Sequence, residues 1–488
     1  MDLDPDRCYR ALSSRDERFD GRFFVAVITT GIYCRPVCPA RTPRRRNVLF
    51  YASAAAAGQA GFRPCLRCRP ETSPGTPAWR GTSATVTRAL RLLEHGALDG
   101  SSVEGLAGRL GIGERHLRRL FREQLGASPV AVAQTRRLHF AKKLIDETPL
   151  PMTEVAFAAG YSSLRRFNAA LRGAYGVPPS DLRRARGGAS NRPSCPGGPL
   201  RLRLAARRPF AAPALLDFLA ARAIPGVEHV EGNIYRRTVC LNGVTTRIGV
   251  QIAKDQDAVE LSIEGVAARS LGEAVGGVRR LFDLDADPEP IARVLRADPL
   301  LARTIRRTPG LRVPGAWDGF ELAVRAVLGQ QVSVAGASTL AGRLVERFGA
   351  PLADTGDPAL THVFPTPDAL AEADVARIGM PAKRAEAIRG LARAVAIGHL
   401  VLGLGADPDA SRARLLELPG FGPWTADYIA MRALREPDAF PSGDLVLRRV
   451  AAGGGKPLTP RALEVRSLGW RPWRAYAAIA LWRSTALG

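Results

Sequence analysis

The apolar positions of this chain change period several times, and each change predicts a different kind of element. Between 83 and 185 they recur at helical spacing, and they do so twice: VEGLAGRLGIGERHLRRLFREQLG at 103–126 is echoed by MTEVAFAAGYSSLRRFNAALRGAYG at 152–176. Each copy reads as an apolar helix, a glycine-containing turn and a second helix with basic residues on one face, and a helix around Val130 to Ile145 joins the copies. Leu117, Leu120, Phe121, Leu164 and Phe167 are expected to face the core. From 200 the pattern shifts to period two with β-branched residues. YRRTVCLNG, TTRIGVQIA and AVELSIEG read as strands, so a small mixed α/β domain is expected over 200–268. Helical spacing then returns through 271–282, 288–306, 318–348, 367–399 and the region beyond 410. The stretches around ETSPGTPAWRGT and RGGASNRPSCPGGP have no apolar period and are rich in Gly, Pro, Ser and Thr, as linkers are.

A chain of 488 residues is too long for one core. The pattern predicts a mainly α multidomain protein divided at 1–72, 83–185, 200–268 and 269–488, with linkers at 73–82 and 186–199. Lys and Arg number 70 against 46 Asp and Glu, a formal charge of +24, which suits a polyphosphate partner by counterion release. The excess is concentrated: residues 1–186 carry 31 basic and 16 acidic side chains. The start, MDLDPDRCYR, is charged, and no apolar run reaches the roughly 20 residues that span a bilayer, so a cytoplasmic protein without a membrane partner is expected.

Four of the seven cysteines form two short-spaced pairs, Cys34 and Cys38 in IYCRPVC and Cys65 and Cys68 in FRPCLRC. Pro36, Pro39 and Pro64 break regular structure around them, so the sulfurs can converge on one tetrahedral zinc ion. A purely structural zinc knuckle fits the spacing, and a disulfide pair is the weaker alternative. FVAVITTGIYCRPVCPAR, RRRNVLFY and AGFRPCLRCRP together resemble the amino-terminal domain of the Ada protein of the DNA alkylation response, over most of residues 1–72. The resemblance implies that Cys34 takes a methyl group irreversibly from a methylphosphotriester, with Cys38, Cys65 and Cys68 as supporting ligands. The chemistry is sound. Zinc keeps the sulfur deprotonated, and methylation of a phosphate oxygen removes the charge that would repel a thiolate.

The repeated helical segment resembles the AraC-type double helix-turn-helix domain. Its second helices are then the candidates for the major groove, with Arg115, His116, Arg118 and Arg119 in the first copy and Ser162, Ser163, Arg165 and Arg166 in the second. A helical bundle with a solvated basic face is the alternative. Ada normally ends in a second transferase domain with a PCHR-type motif. This chain has none: Cys195 lies in a linker and Cys240 in an expected strand, so repair of O6-alkylguanine is not expected.

Near the other end, LPGFGPWTADYIA at 418–430 reads as a helix-hairpin-helix, with a helix ending at Leu416 and another starting near Trp424. Gly420 and Gly422 would allow the turn and a close approach of backbone N–H groups to a phosphate. Fourteen residues on, DAFPSGDLVLRR places Asp444 ahead of an amphipathic stretch. With RRLFDLDADP, PGLRVPGAWDGFELAVRAVLGQQVSVAGA, FPTPDAL, IGMPAKRAEAI and GWRPWRAYAAIALW, this text resembles the 3-methyladenine DNA glycosylase AlkA over about 200–486. The resemblance implies hydrolytic excision of alkylated purines. Asp444 stabilises the developing oxocarbenium ion or activates water, and Trp424, Tyr428 and Trp482 line the slot for the flipped base. An ordinary core role for these aromatics is the alternative.

Two departures matter. Pro423-Trp424 stands where strand-cutting glycosylases carry a lysine, so a monofunctional hydrolase is expected. Gln331 occupies the place of the family's apolar wedge; a glutamine fills the gap by hydrogen bonding to the orphaned base, without apolar wedging. The expectation is an Ada-type methyl sensor and regulator fused to an AlkA-type glycosylase. It would hold one Zn2+, bind double-stranded alkylated and operator DNA, contact RNA polymerase and act as a monomer. The competing expectation is an alkylation-responsive transcription factor whose C-terminal half binds damaged DNA without excising it.

Overall fold

The computed structural model describes residues 3–72, 84–185, 199–254, 258–265, 268–352, 356–403 and 405–487. The expected linkers 73–82 and 186–199 lie outside these residues except for Pro199, as does Cys195. The chain forms two compact units, one of residues 1–208, 258–276 and 284–286, the other of 209–257, 277–283 and 287–488. The 200–268 segment is thus shared between them. Strands Leu200–Ala205 and Ala258–Ile263, which pair antiparallel over six residues, go with the first unit, and the strands between them go with the second.

In the first unit a four-stranded sheet runs in the order Val48–Tyr51, Phe24–Val27, Ile32–Cys34, Arg63–Pro64. Alternation decides its faces: Phe23 and Val25 pack with Val48 and the helix Pro5–Ser13 on one side, while Phe24, Ala26 and Tyr33 pack with the short alanine helix Ala54–Gln59 on the other. Seven helices follow among the described residues 84–185. The expected connector is observed as Pro129–Glu147, started by Ser128 at its N-cap and Pro129 at its first position. The two second helices are Glu114–Leu125 and Leu164–Tyr175, and both end on a left-handed glycine, Gly126 and Gly176. Leu117, Phe121 and Phe167 are fully buried as expected and Leu120 is half-buried. Leu164 is exposed, because it opens its helix directly after the cap; Leu171, one turn beyond Phe167, fills the core instead.

The second unit contains the meander Glu228–Glu231, Ile234–Leu241 and Val244–Ile252, which places Cys240 in a strand. Around it the chain is helical. Phe320, Val324, Val327, Leu344, Ile388, Leu391, Leu415, Ala426 and Ile429 build one buried cluster from the helices Gly319–Leu328, Val334–Phe348, Ala382–Ala396, Pro408–Glu417 and Pro423–Arg432. Charge is buried here too. Arg237 donates to Glu321 at 2.7 Å, and Arg325 bridges Glu321 at 3.2 Å and Glu228 at 2.9 Å. Tyr235 donates to the other Glu228 oxygen at 2.6 Å. Burial pushes the Glu228 carboxyl up, but the two arginines outweigh it and hold the group below its ordinary value.

Candidate zinc centre and base-excision site

Cys34 ends the strand Ile32–Cys34, Cys38 follows in the proline turn, and Cys65 and Cys68 flank the next loop. Their sulfurs lie within 4.8 Å of one another. Protons are contested in such a cluster: hydrogen bonding from Cys34 pulls Cys38 down to about 7 and Cys65 lower still, while Cys34 is pushed up by sharing with Cys38. A dication that displaces these protons relieves the competition, so the donor set fits a tetrahedral thiolate zinc ion. Cys38, Cys65 and Cys68 are buried, and Cys34 is the most open of the four. The backbone N–H of Arg35 donates to Cys68 Sγ at 3.3 Å, and Arg35 Nη1 donates to the Cys68 carbonyl at 3.2 Å. Its Nε and Nη2 are held by the buried carboxylate of Asp20. This Asp20–Arg35 brace had no sequence signal beyond a charged residue beside a ligand.

On the first reading helix Arg115, His116 and Arg119 are exposed. Arg118 is half-buried and donates to Glu114 at 2.7 Å, and Arg119 donates to His116 Nδ1 at 3.1 Å. In the second copy Ser162 and Ser163 stand ahead of the helix and not on it. Ser163 is the N-cap and accepts from the Arg166 N–H, so its hydroxyl is already used; Ser162, Arg165 and Arg166 are exposed.

The hairpin joins Pro408–Glu417 to Pro423–Arg432. Gly420 has φ +87, and a Cβ there would lie 2.8 Å from that of Ala387, so the turn and its packing both demand glycine. Gly422 is ordinary in φ, −96, and has no atom within 4 Å of a Cβ position; it leaves the start of the next helix uncovered. Trp424 and Tyr428, one turn apart on that helix, stack with centroids 5.5 Å apart at 14°. Trp482, from Arg474–Leu487, meets Tyr428 edge-on at 6.2 Å.

Asp444 joins these rings. It caps Leu445–Ala451, its Oδ1 accepting the Leu447 N–H at 3.0 Å. Trp424 Nε1 donates to Oδ2 at 3.0 Å and Trp482 Nε1 donates to Oδ1 at 3.2 Å. The structure therefore brings together all four residues picked from the sequence, and adds that the indoles bond the carboxylate as well as offering ring faces. Sequence reasoning missed Arg432. It donates to the Tyr428 hydroxyl at 2.7 Å and to the carbonyls of Pro314 and Gly315, and lies 4.9 Å over the Phe218 ring. Burial pushes the Tyr428 phenol up, but Arg432 and Arg222 beside it outweigh this and leave it below its ordinary value. The spacing of four from Tyr428 to Arg432 was the available signal. Gln331 is exposed at a left-handed φ of +57.

Four family models match the chain: the metal binding domain of Ada at 7–71, a helix-turn-helix domain at 106–185, the AlkA N-terminal domain at 201–318, and the HhH-GPD superfamily base excision DNA repair protein at 324–475. The chain is 47% identical over 485 residues, 99% of its length and 97% of the relative's, to the probable bifunctional transcriptional activator/DNA repair enzyme AlkA of Mycobacterium tuberculosis. It is 37% identical over 276 residues to DNA-3-methyladenine glycosylase 2 of Escherichia coli, covering 55% of this chain and 92% of that protein. Its fold matches the solved structure of a 3-methyladenine DNA-glycosylase from Archaeoglobus fulgidus with a TM-score of 0.51 at 20% identity, over 57% of this chain and 96% of that one.

Proposed function

This chain belongs to the family of bifunctional transcriptional activator/DNA repair enzymes of the AlkA kind, and on that premise we propose how its residues divide the work. The protein excises alkylated purines of the 3-methyladenine type as a monofunctional DNA glycosylase, and joins this activity to a zinc-binding methyl-acceptor domain and a helix-turn-helix regulator that bind double-stranded DNA. The observation that carries the excision site is the convergence of two indole N–H groups and a helix cap on Asp444, directly against the Trp424–Tyr428 stack. A carboxylate held by three donors stays aimed. It stabilises positive charge developing at the sugar C1′ as the bond to the base nitrogen breaks, and directs the water whose oxygen bonds to C1′ and whose proton it accepts. An alkylated purine already carries the positive charge that makes it leave, so the electrons of the broken bond neutralise the departing base. The aromatic rings favour that cationic ring while it is flipped out.

At the other end Cys34, the least buried residue of the four, is the methyl acceptor: its sulfur bonds the methyl carbon, and the methyl–oxygen bond breaks to leave an ordinary phosphodiester anion. Bound zinc supplies a sulfur kept deprotonated at neutral pH. The transfer lowers the negative charge of the centre by one and so weakens its repulsion by DNA, which supports a regulatory role. The hairpin glycines, Gln331 and the exposed arginines of the reading helices complete the DNA contacts, with RNA polymerase as partner, a monomeric state and a cytoplasmic location as further parts of the proposal. The domain limits 1–72, 83–185, 200–268 and 269–488 belong to it too. No described helix is long and apolar enough to cross a membrane.

The test is release of free 3-methyladenine and 7-methylguanine from methylated duplex DNA, with Asp444→Asn as control. Release that survives in the variant removes Asp444 from the chemistry. A Cys34 peptide that gains no methyl mass after incubation with methylphosphotriester DNA removes Cys34 as acceptor.

A further inference from the structure

The link between the helices Gly319–Leu328 and Val334–Phe348 carries two adjacent glutamines that behave oppositely. Gln331 is exposed in the left-handed region and engages no described side chain, whereas Gln330 is half-buried and its amide nitrogen is bonded twice. Gln330 Nε2 donates to the carbonyl of Gly420 at 3.0 Å and to Thr425 Oγ1 at 3.1 Å. Its backbone carbonyl accepts from Arg384 Nη1 at 2.9 Å. Gly420 is the left-handed residue of the hairpin, Thr425 lies in the first turn of the helix that carries Trp424 and Tyr428, and Arg384 opens Ala382–Ala396. Ser333 closes the link by capping the next helix, its hydroxyl accepting the Gly336 N–H at 3.1 Å.

The hairpin and the first turn of the next helix therefore meet at one side-chain amide, and Arg384 holds the same residue by its backbone carbonyl. The φ of +57 at Gln331 is unfavourable for a residue with a Cβ and persists only where its surroundings over-determine it. On the hairpin side the link is held by the two bonds of the Gln330 amide.

We propose that Gln330 is a positioning residue for base flipping: its amide clamps the link to the hairpin, so that the element gripping the phosphate and the Gln331 side chain entering the vacated stack move as one body. This rests on the excision reading above. A hairpin and a wedge joined by a flexible link would bind DNA as well but insert the wedge less often. The loss therefore falls on the step that empties the stack, and DNA affinity is kept.

The test is a double-mutant cycle between Gln330→Met, which keeps shape and removes both donors, and Gln331→Gly, which suits the left-handed φ and removes the wedge. Single-turnover excision of 7-methylguanine from a duplex with cytosine opposite is followed for each single variant and the double variant, with thermal unfolding to confirm the fold and Gln330→Glu replacing Met if that variant does not fold. Each single change is expected to slow excision about tenfold, the Gln330 change at unchanged duplex affinity, and the double change to slow it no more than the larger single, because one acts through the other. Losses that multiply, a Gln330 variant as fast as the parent, or a loss confined to duplex affinity would each overturn the proposal. Failure of the parent protein itself to excise would instead refute the functional reading on which it rests.

Discussion

Replacing either indole of the proposed excision site by phenylalanine keeps an aromatic ring and deletes one hydrogen bond to Asp444, and the geometry makes the two replacements unequal. Oδ1 has two donors, the Leu447 N–H at 3.0 Å and Trp482 Nε1 at 3.2 Å, whereas Oδ2 has Trp424 Nε1 at 3.0 Å. Trp482→Phe removes the longest of the three bonds from the oxygen that keeps another. Hydrogen bonds to a charged group contribute about 1.5–3 kcal/mol, so the lower limit applies and excision should slow about tenfold. Trp424→Phe leaves Oδ2 with no donor among the described residues and frees the carboxylate to swing about its cap. The upper limit applies, about 3 kcal/mol or roughly a hundredfold. The assay is single-turnover excision of 7-methylguanine from a duplex at saturating enzyme, which separates the chemical step from binding. Ring stacking is nearly preserved in both, so base affinity should move little. Equal losses in the two variants, or losses wholly in the concentration dependence, would refute the claim that the indoles aim the carboxylate.

Three further outcomes follow from particular contacts. Gly420→Ala should destabilise by about 1–3 kcal/mol through its left-handed φ and the 2.8 Å approach to Ala387, whereas Gly422→Ala should leave unfolding unchanged and weaken duplex binding, as thermal melts and binding titrations would show. Glu321→Gln leaves Arg237 and Arg325 sharing only Glu228 in a buried site, and a loss of about 3–5 kcal/mol is expected in denaturant unfolding. His139, whose Nε2 is 2.9 Å from the Tyr33 hydroxyl, is pushed down to about 4 by burial, so the unfolded chain binds the extra proton first. Stability of the first unit should be full at neutral pH and fall between about pH 6.5 and 4, and His139→Gln should flatten that part of the profile.

Much of this protein is legible one residue type at a time. The cysteine pairs, the repeated helix pattern, the PGFG hairpin and the aspartate after it are local signals, because each depends on turn chemistry or periodicity within about 15 residues. They located the four cysteines that cluster, the two second helices and the four residues that meet around Asp444, and the connector helix matched to within two residues at each end. Leu164 escaped because periodicity does not say where a cap ends and a core-facing turn begins. Ser163 was likewise a cap before it was a contact.

Tertiary structure alone decided which groups share a site. The indole bonds to Asp444 join residues 20 and 38 positions away, the Gln330 clamp spans 90 and 95, and the Arg237–Glu321 pair spans 84. It also paired Leu200–Ala205 with the distant Ala258–Ile263, since strand pairing follows register across a ladder and not order along the chain. Composition and spacing fix what each segment can become on its own. Which polar atoms are buried together depends on how the segments pack, and there the low dielectric turns a distant neighbour into a partner.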